Sequence, residues 1–348
     1  MKKILFTGGG SAGHVIPNLA LIEDLKRLGG VDFAYMGTDG IEKTLVGERH
    51  IPFYTISCPK FRRGFSLKNL KSNLQIPFQL YRAKKEALRG LELLQPNAVF
   101  SKGGYVSLPV LLASKKLGIP CFAHESDFSP GLTTKLTARL CKTVFTSFPE
   151  TAENLPHGHY SGAPLRSQLF HADREKVRAE FSLSENQKAI LVLGGGSGSK
   201  FLNDALRQAL KRLPKTYTVF HLCGRGNRID CNFKNYRQFE FVKDMGTLYA
   251  LSDLVISRAG SGATFEILAL KKPSIFIPLE RASRGDQVEN ANYFLKRGLC
   301  HVLHEAELSS LPKAIEKAFA DSELRKKLEE SNFSSGNTKI LKGLLENL

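Results

Sequence analysis

Short runs of apolar, often β-branched residues that end in glycine or serine alternate along the chain with longer stretches whose apolar positions recur every three or four residues. The first kind reads as strands buried on both faces and the second as amphipathic helices. Their alternation predicts βαβ units and parallel sheets, an α/β fold. Predicted strands are Lys3 to Thr7, Asp32 to Met36, Pro52 to Ile56, Ala98 to Ser101, Cys121 to Ala123 and Thr143 to Thr146. A second series follows at Ile190 to Leu193, Thr218 to Leu222, Phe239 to Val242, Leu254 to Ser257, Ser274 to Ile277 and Cys300 to Leu303. From Leu311 to Leu348 the pattern is helical, with no strand.

An internal echo organises the two series. Ile4-Leu5-Phe6-Thr7-Gly8-Gly9-Gly10-Ser11 and Ile190-Leu191-Val192-Leu193-Gly194-Gly195-Gly196-Ser197 share Ile-Leu-x-x-Gly-Gly-Gly-Ser, a strand entering a glycine turn before a helix. Between them His157 to Arg166 is rich in glycine and carries a proline, and the boundary is placed at Ser161 to Pro164. The expectation is an N-terminal Rossmann-like domain over 1–162 and a C-terminal one over 163–348. The last helix is a candidate for packing back on the first domain. Two such halves are expected to face one another across a cleft, with ligands outside the carboxyl ends of their strands.

The length of 348 residues agrees with two domains at roughly 150 residues each. With 42% hydrophobic and 24% charged residues, the chain is neither disordered, collagenous nor coiled coil. No run approaches the roughly 20 apolar residues of a membrane-spanning helix, and Met1-Lys2-Lys3-Ile4-Leu5 enters glycines too soon for a signal peptide. A cytosolic chain is expected unless something anchors it. Six cysteines without a C-x-x-C pair predict reduced, mostly buried thiols and no metal site.

Charge adds a partner question. The net charge is +17, and the thirty residues from Lys60 to Arg89 hold nine bases against Glu86 alone. Within them Leu67, Leu70, Leu74, Phe78 and Tyr81 fall at spacings of three and four, among Lys68, Lys71, Arg82, Lys84 and Lys85. An amphipathic helix lying on anionic lipid fits this pattern, and so does a helix with its apolar face in the core and its lysines in water. Pro77 is expected to kink or split it. A phosphorylated substrate or a nucleic-acid surface would also account for such charge, but against the latter the chain lacks Trp and any helix-turn-helix or zinc spacing.

Candidate chemistry gathers at strand-to-helix turns. Gly8-Gly9-Gly10-Ser11-Ala12-Gly13 fits G-x-G-x-x-G, whose amides can approach a diphosphate at a helix N-terminus; a tight turn without a ligand fits it too. A nicotinamide site wants an acid at the end of the second strand, and Asp39 lies beyond that strand. His14 follows, at the start of a helix that Pro17 is expected to help open, as a candidate general base or a capping residue. Ser101-Lys102-Gly103-Gly104-Tyr105 is a second such junction and suits another anion. His124-Glu125, with Ser126-Asp127 after it, is expected at the rim, as a functional pair or a salt-bridged loop stabiliser. In the second half Gly194 to Gly198 can hold a nucleotide phosphate. Glu266 lies about a turn inside the helix after Ser257-Arg258-Ala259-Gly260, where a carboxylate can take two ribose hydroxyls or answer the helix dipole. Arg284, Asp286, Gln287 and Asn290 can read sugar hydroxyls. No D-x-D occurs, which argues against a transferase that chelates a metal through two aspartates.

Five of these segments, 8–18, 102–107, 124–133, 257–261 and 286–291, closely resemble the bacterial peptidoglycan glycosyltransferases that add N-acetylglucosamine to a lipid-linked muramoyl-pentapeptide, and they occur in that family's order. The resemblance implies a GT-B enzyme that uses UDP-N-acetylglucosamine, inverts the anomeric carbon and needs neither cofactor nor metal. It implies a lipid-diphosphate acceptor on the N-terminal half and the UDP-sugar on the C-terminal half. Position by position, Ser11, Ala12, Gly13 and Asp127 would approach the donor sugar, where most of the family has asparagine at 127. Arg166 would meet the donor's diphosphate or nucleotide, the Val242 backbone the uracil, Glu266 the ribose and Gln287 the sugar. Gly103, Gly104 and Tyr105 would face the acceptor diphosphate. Gly196 stands where the family has the serine of its second glycine loop, with Ser197 displaced by one, so either is a candidate phosphate contact. The base is expected to be His14, with Glu125 orienting or replacing it. The basic 60–89 segment agrees with attachment to an anionic membrane surface at the cytoplasmic face. Competing readings are another GT-B glycolipid transferase, a UDP-N-acetylglucosamine 2-epimerase, a dinucleotide oxidoreductase and, in a different class, a nucleic-acid-binding module.

Overall fold

The computed structural model describes residues 2–59, 74–196, 198–280 and 284–348. Ser197 and the 60–73 part of the basic segment lie outside the described residues. The chain divides into two compact units, Met1–Arg166 with Ser335–Leu348, and Ser167–Ser334.

In the first unit the apolar runs form β1 (Lys2–Thr7), β2 (Val31–Gly37), β3 (Phe53–Thr55), β4 (Ala98–Ser101), β5 (Cys121–Glu125), β6 (Thr143–Thr146) and β7 (Gly158–Tyr160). They pair in parallel in the order β3-β2-β1-β4-β5-β6-β7. The order reverses between β1 and β4, whose register ends at Thr7 opposite Ser101. The helices that follow these two strands therefore pack on opposite faces of the sheet, and the carboxyl edge between them is where open α/β sheets bind ligands. Both faces of the sheet are covered, one by a cluster around Phe6, Leu21, Phe100 and Phe145, the other around Leu5, Met36, Val99 and Val110. This is why the strands read as unbroken apolar runs.

The second unit repeats the plan with β8 (Lys188–Leu193), β9 (Tyr217–Leu222), β10 (Tyr236–Phe239), β11 (Leu254–Ser257), β12 (Ser274–Phe276) and β13 (His301–Val302), ordered β10-β9-β8-β11-β12-β13 and all parallel. Its switch point lies between β8 and β11, where Leu193 faces Ser257.

Four local expectations are corrected. The stretch read as the start of the linker contains β7, an edge strand of largely exposed His159 and Tyr160 that no apolar alternation announces. The strand expected at Phe239 to Val242 ends at Phe239, because Tyr236, bonded through its hydroxyl to buried His221 at 2.7 Å, sets the register three residues earlier. Val242 consequently lies in the following loop. Helix α1 (Ala12–Leu28) opens directly after Ser11, so Pro17 sits in its second turn and removes one backbone bond rather than starting the helix. The boundary was expected at 162/163, whereas the units part after Arg166, and α14 (Asn337–Leu345) lies in the first unit's core through Ile340, Leu341 and Leu344.

The remaining helices that bear on function are α2 (Ile41–Gly47), α3 (Ile76–Leu94), α4 (Ser107–Lys116), α5 (Leu132–Thr137), α8 (Lys200–Ala209), α9 (Met245–Leu251), α10 (Ser261–Ala269) and α11 (Asp286–Leu295). Pro77 lies in the first turn of α3, where its missing N–H costs nothing. This helix buries Ala83, Ala87, Gly90 and Leu91, while Leu74, Phe78 and Tyr81 are 74, 74 and 58% exposed. Leu74, Phe78 and Tyr81 thus face outward, beside Arg82 and Lys85, and not into the core; Leu67 and Leu70 of the pattern lie outside the described residues.

Candidate active site

At the switch point of the first unit, β1 runs into Gly8-Gly9-Gly10 and α1 starts at Ala12; the amides of Ala12 and Gly13 have no intrahelical acceptors, while His14 N–H donates to Ser11 O at 3.1 Å. His14 stands on that turn. Its Nδ1 lies 3.0 Å from the Gly9 carbonyl and 3.1 Å from Ser11 Oγ. A carbonyl only accepts, so Nδ1 carries the hydrogen and Nε2 the lone pair, the tautomer a base needs.

Three residues that sequence reasoning passed over hold this loop. Buried Glu42, on α2, accepts from Gly10 N–H and Thr38 N–H at 3.1 Å and from the Thr38 hydroxyl. Buried Asn18 donates to Thr7 O at 3.0 Å and to the Tyr35 hydroxyl at 3.1 Å, and that hydroxyl donates to Gly8 O at 2.7 Å. The loop carrying His14 is therefore fixed from below by a carboxylate and an amide. Asn18 belongs to the segment that matched the family, but Glu42 gave no signal, since nothing in its local sequence says that it points inward.

The second turn approaches from β4. Gly104 has φ +81°, and a Cβ placed there would lie 2.4 Å from Gly9 O and 3.1 Å from His14 Nδ1. Only glycine lets the two loops come this close. Gly103 N–H donates to Ser101 Oγ at 3.1 Å, and Thr133 Oγ1 donates to Gly104 O at 3.2 Å. The amides of Gly104 and Tyr105 find no acceptor among the described residues. Lys102 begins the turn and is buried.

At the end of β5 the structure departs from the expectation of a rim pair. His124 and Glu125 are both buried. His124 Nε2 lies 3.0 Å from Gly162 O, and its imidazole pKa is pushed well below the usual value by burial and then by the nearby Lys102 charge, so Nε2–H donates and the ring is neutral. Glu125 accepts from Asp127 N–H at 3.0 Å, Gly131 N–H at 2.9 Å and the Thr134 hydroxyl at 2.6 Å. With both oxygens engaged, it shapes the loop that presents Asp127 and α5.

In the second unit, Gly195 and Gly196 are exposed at the end of β8, and a Cβ on Gly198, at φ +77°, would lie 2.1 Å from Cys223 O. Ser199 caps α8; its Oγ accepts from Leu202 N–H at 3.4 Å and from Arg258 Nε and Nη2 at 3.1 and 2.7 Å. Arg258, buried after β11, also donates to Ile277 O and Pro278 O and ion-pairs with Glu305 at 2.8 Å. It ties three loops of the carboxyl edge together, a role its motif position did not reveal. Glu266, on α10, accepts from the Tyr249 hydroxyl at 3.2 Å, and Gln287, in the first turn of α11, accepts from Leu279 N–H at 3.0 Å. Gly196, Val242, Glu266 and Gln287 all belong to this unit. Arg166 is the last residue of the first stretch of the other unit. Among the described residues no group of three or more His, Cys, Asp or Glu could hold a metal ion.

Residues 4–146 match the model of the glycosyltransferase family 28 N-terminal domain and residues 189–344 that of the family 28 C-terminal domain. A UDP-N-acetylglucosamine–N-acetylmuramyl-(pentapeptide) pyrophosphoryl-undecaprenol N-acetylglucosamine transferase of Clostridium perfringens is 45% identical over 316 residues, 88% of this chain and 87% of its own. A Bacillus anthracis protein with that name, numbered 2, is 43% identical over 335 residues, 94% of each chain. Among solved structures, Acinetobacter baumannii MurG superposes with a TM-score of 0.75 at 26% identity, covering the whole of both chains.

Proposed function

The chain belongs to glycosyltransferase family 28, and we infer from that membership that it transfers N-acetylglucosamine from UDP-N-acetylglucosamine to the 4-hydroxyl of undecaprenyl-diphospho-N-acetylmuramoyl-pentapeptide, with inversion, converting lipid I to lipid II in peptidoglycan synthesis. The observation that carries this is identity of 43–45%, sustained over 88–94% of the chain, to relatives named for this transfer.

The residue roles are those the family resemblance implies, and the chemistry of the transfer agrees with them. The acceptor hydroxyl must lose a proton as it attacks C1, and His14 Nε2 supplies the lone pair that takes it. The Gly9 carbonyl on Nδ1 keeps the ring in that tautomer and stabilises the imidazolium that results. Glu125 acts through the loop it folds, presenting Asp127 with Ser11, Ala12 and Gly13 to the donor sugar. The leaving UDP needs charge stabilisation, which Arg166, the Gly194–Gly198 amides and the N-terminus of α8 supply. Because Gly196 has no hydroxyl, it offers phosphate only its backbone. The Val242 backbone reads uracil, Glu266 the ribose and Gln287 the sugar. Gly103, Gly104 and Tyr105 form the turn for the acceptor diphosphate, with the amides of Gly104 and Tyr105 available to it.

No helix among the described residues is long and apolar enough to cross a membrane. The lipid acceptor calls for contact with a bilayer, and outward Leu74, Phe78 and Tyr81 beside Arg82 and Lys85 support peripheral attachment to the anionic cytoplasmic face through residues 60–89.

The direct test is transfer of radiolabelled N-acetylglucosamine to a lipid-diphosphate-muramoyl acceptor, with and without EDTA. Transfer that survives EDTA is expected, and UDP-N-acetylglucosamine incubated without acceptor should stay unaltered. Isomerised sugar in that control would point to an epimerase. Glu266→Ala should weaken UDP binding about tenfold or more in calorimetry while the thermal transition is retained. Unchanged affinity would remove the ribose assignment.

A further inference from the structure

The Glu42 carboxylate and the His14 imidazole meet one peptide group from opposite sides. Glu42 Oε2 accepts from Gly10 N–H at 3.1 Å, and His14 Nδ1 lies 3.0 Å from Gly9 O. That N–H and that C=O belong to the same amide, and in a planar trans peptide they point in opposite directions. Fixing one end therefore fixes the other. The carboxylate is itself anchored: its Oε1 accepts from Thr38 N–H at 3.1 Å and from the Thr38 hydroxyl, and the side chain is fully buried. Glycines make room for it, since a Cβ on Gly9 would lie 2.5 Å from Glu42 Cδ and one on Gly37 2.9 Å from Glu42 Cγ.

This amide needs holding. It is flanked by glycine on both sides, and Gly10 stands at φ +82°. Glycine takes positive and negative φ about equally, so the Gly9–Gly10 peptide can turn over at little steric cost. Turned over, it would offer Nδ1 an N–H in place of a carbonyl. The ring would then carry its hydrogen on Nε2 and lose the lone pair that a base needs there. Ser11 Oγ, 3.1 Å from Nδ1, can donate or accept and suits either tautomer. The choice falls to the peptide, and the carboxylate on its N–H fixes the peptide. Negative charge on that side also polarises the amide, which makes Gly9 O a stronger acceptor for the N–H of an imidazolium.

We propose that Glu42 is a positioning residue for the base, the far carboxylate of a relay that runs through the Gly9–Gly10 peptide to His14. It keeps the carbonyl aimed at Nδ1, sets the tautomer with its lone pair on Nε2, and stabilises the imidazolium that forms when Nε2 takes the acceptor's proton. The part is that of the carboxylate in a Ser-His-Asp triad, passed on through one peptide group. Its kinetic consequence rests on the transferase reading, in which His14 is the base. The tautomer is a property of the fold and is measurable without any substrate.

The test combines imidazole nitrogen-15 spectra with kinetics for wild type, Glu42→Gln, His14→Ala and the double variant, the His14 resonances being identified by their loss in His14→Ala. With the ring neutral, wild type should show His14 protonated on Nδ1 and bare on Nε2. In Glu42→Gln the carboxamide oxygen should stay on Thr38, which has two donors, so its NH2 group meets Gly10 N–H and drives the peptide over. Expected are a shift of His14 toward the Nε2–H tautomer, a kcat lowered about tenfold or more, and a donor KM within about twofold of wild type. Because Glu42 acts through His14, the double variant should lie within about twofold of His14→Ala. A fully additive loss in the double variant, which a general loosening of the fold would give, overturns the proposal. So does an unchanged tautomer or an unchanged kcat in Glu42→Gln. A wild-type spectrum with the hydrogen on Nε2 overturns it even if Glu42→Gln does not fold. If wild type transfers no sugar, the transferase reading falls, and the spectra still decide whether Glu42 sets the tautomer.

Discussion

His14→Ala should lower kcat by about 10²-fold or more and leave the KM for UDP-N-acetylglucosamine within about threefold, because the imidazole acts on the acceptor's proton and not on the donor's nucleotide. Its Nδ1–H is committed to the Gly9 carbonyl, so the ring presents one lone pair, at Nε2, and alanine presents none. The folded state should tolerate the change, since the side chain is only partly buried and the turn beneath it is held by Glu42, Asn18 and Tyr35. Near-normal turnover in His14→Ala would sink the assignment.

The second large effect is expected at Gly104→Ala, a change of one methyl group. At φ +81° an L side chain is strained by about 1–2 kcal/mol, and the added Cβ would lie 2.4 Å from the Gly9 carbonyl that orients His14. Neither atom can swing aside, because Gly9 O is backbone and the following Gly10 N–H is held by Glu42. The two turns must move apart. We expect kcat to drop about tenfold or more, since a displacement of roughly 1 Å at a catalytic group is already expensive. KM for the acceptor should rise as well, because the Gly104 and Tyr105 amides move with the turn. The thermal midpoint, read in parallel, should fall by only a few degrees, about what the strain accounts for. A variant with wild-type kcat would show that the close approach of the loops is not needed to orient the base.

Much of the catalytic framework was legible because it is written in short-range rules. Parallel strands covered on both faces must be apolar throughout, which exposed eleven of the thirteen strands as runs ending near the expected residues. Turns at the carboxyl edge must admit close backbone approach, so glycine clusters marked both switch points before any topology was known. What escaped was set by partners that only the folded chain brings into contact. β7 is polar and exposed, and only its neighbour β6 makes it a strand. Val242 left its predicted strand because Tyr236 is pinned by His221 across the sheet. Glu125 looked like a spare base until Gly131 and Thr134 closed on it.

The helix α3 shows the same division from the opposite side. Spacings of three and four told of an apolar stripe but could not say which way it turns, and packing settled that by burying the small face of Ala83, Ala87, Gly90 and Leu91. Periodicity, glycine placement and motif order thus sufficed for two α/β sheets, their glycine turns and the family, since each depends on residues within a few positions of one another. Which carboxylates are already hydrogen-bonded and which tautomer His14 adopts could not be read that way. Those depend on how the folded turns aim particular atoms at one another, Gly9 O at His14, Gly131 N–H and the Thr134 hydroxyl at Glu125, and Gly10 N–H at Glu42, and sequence spacing does not encode that aim.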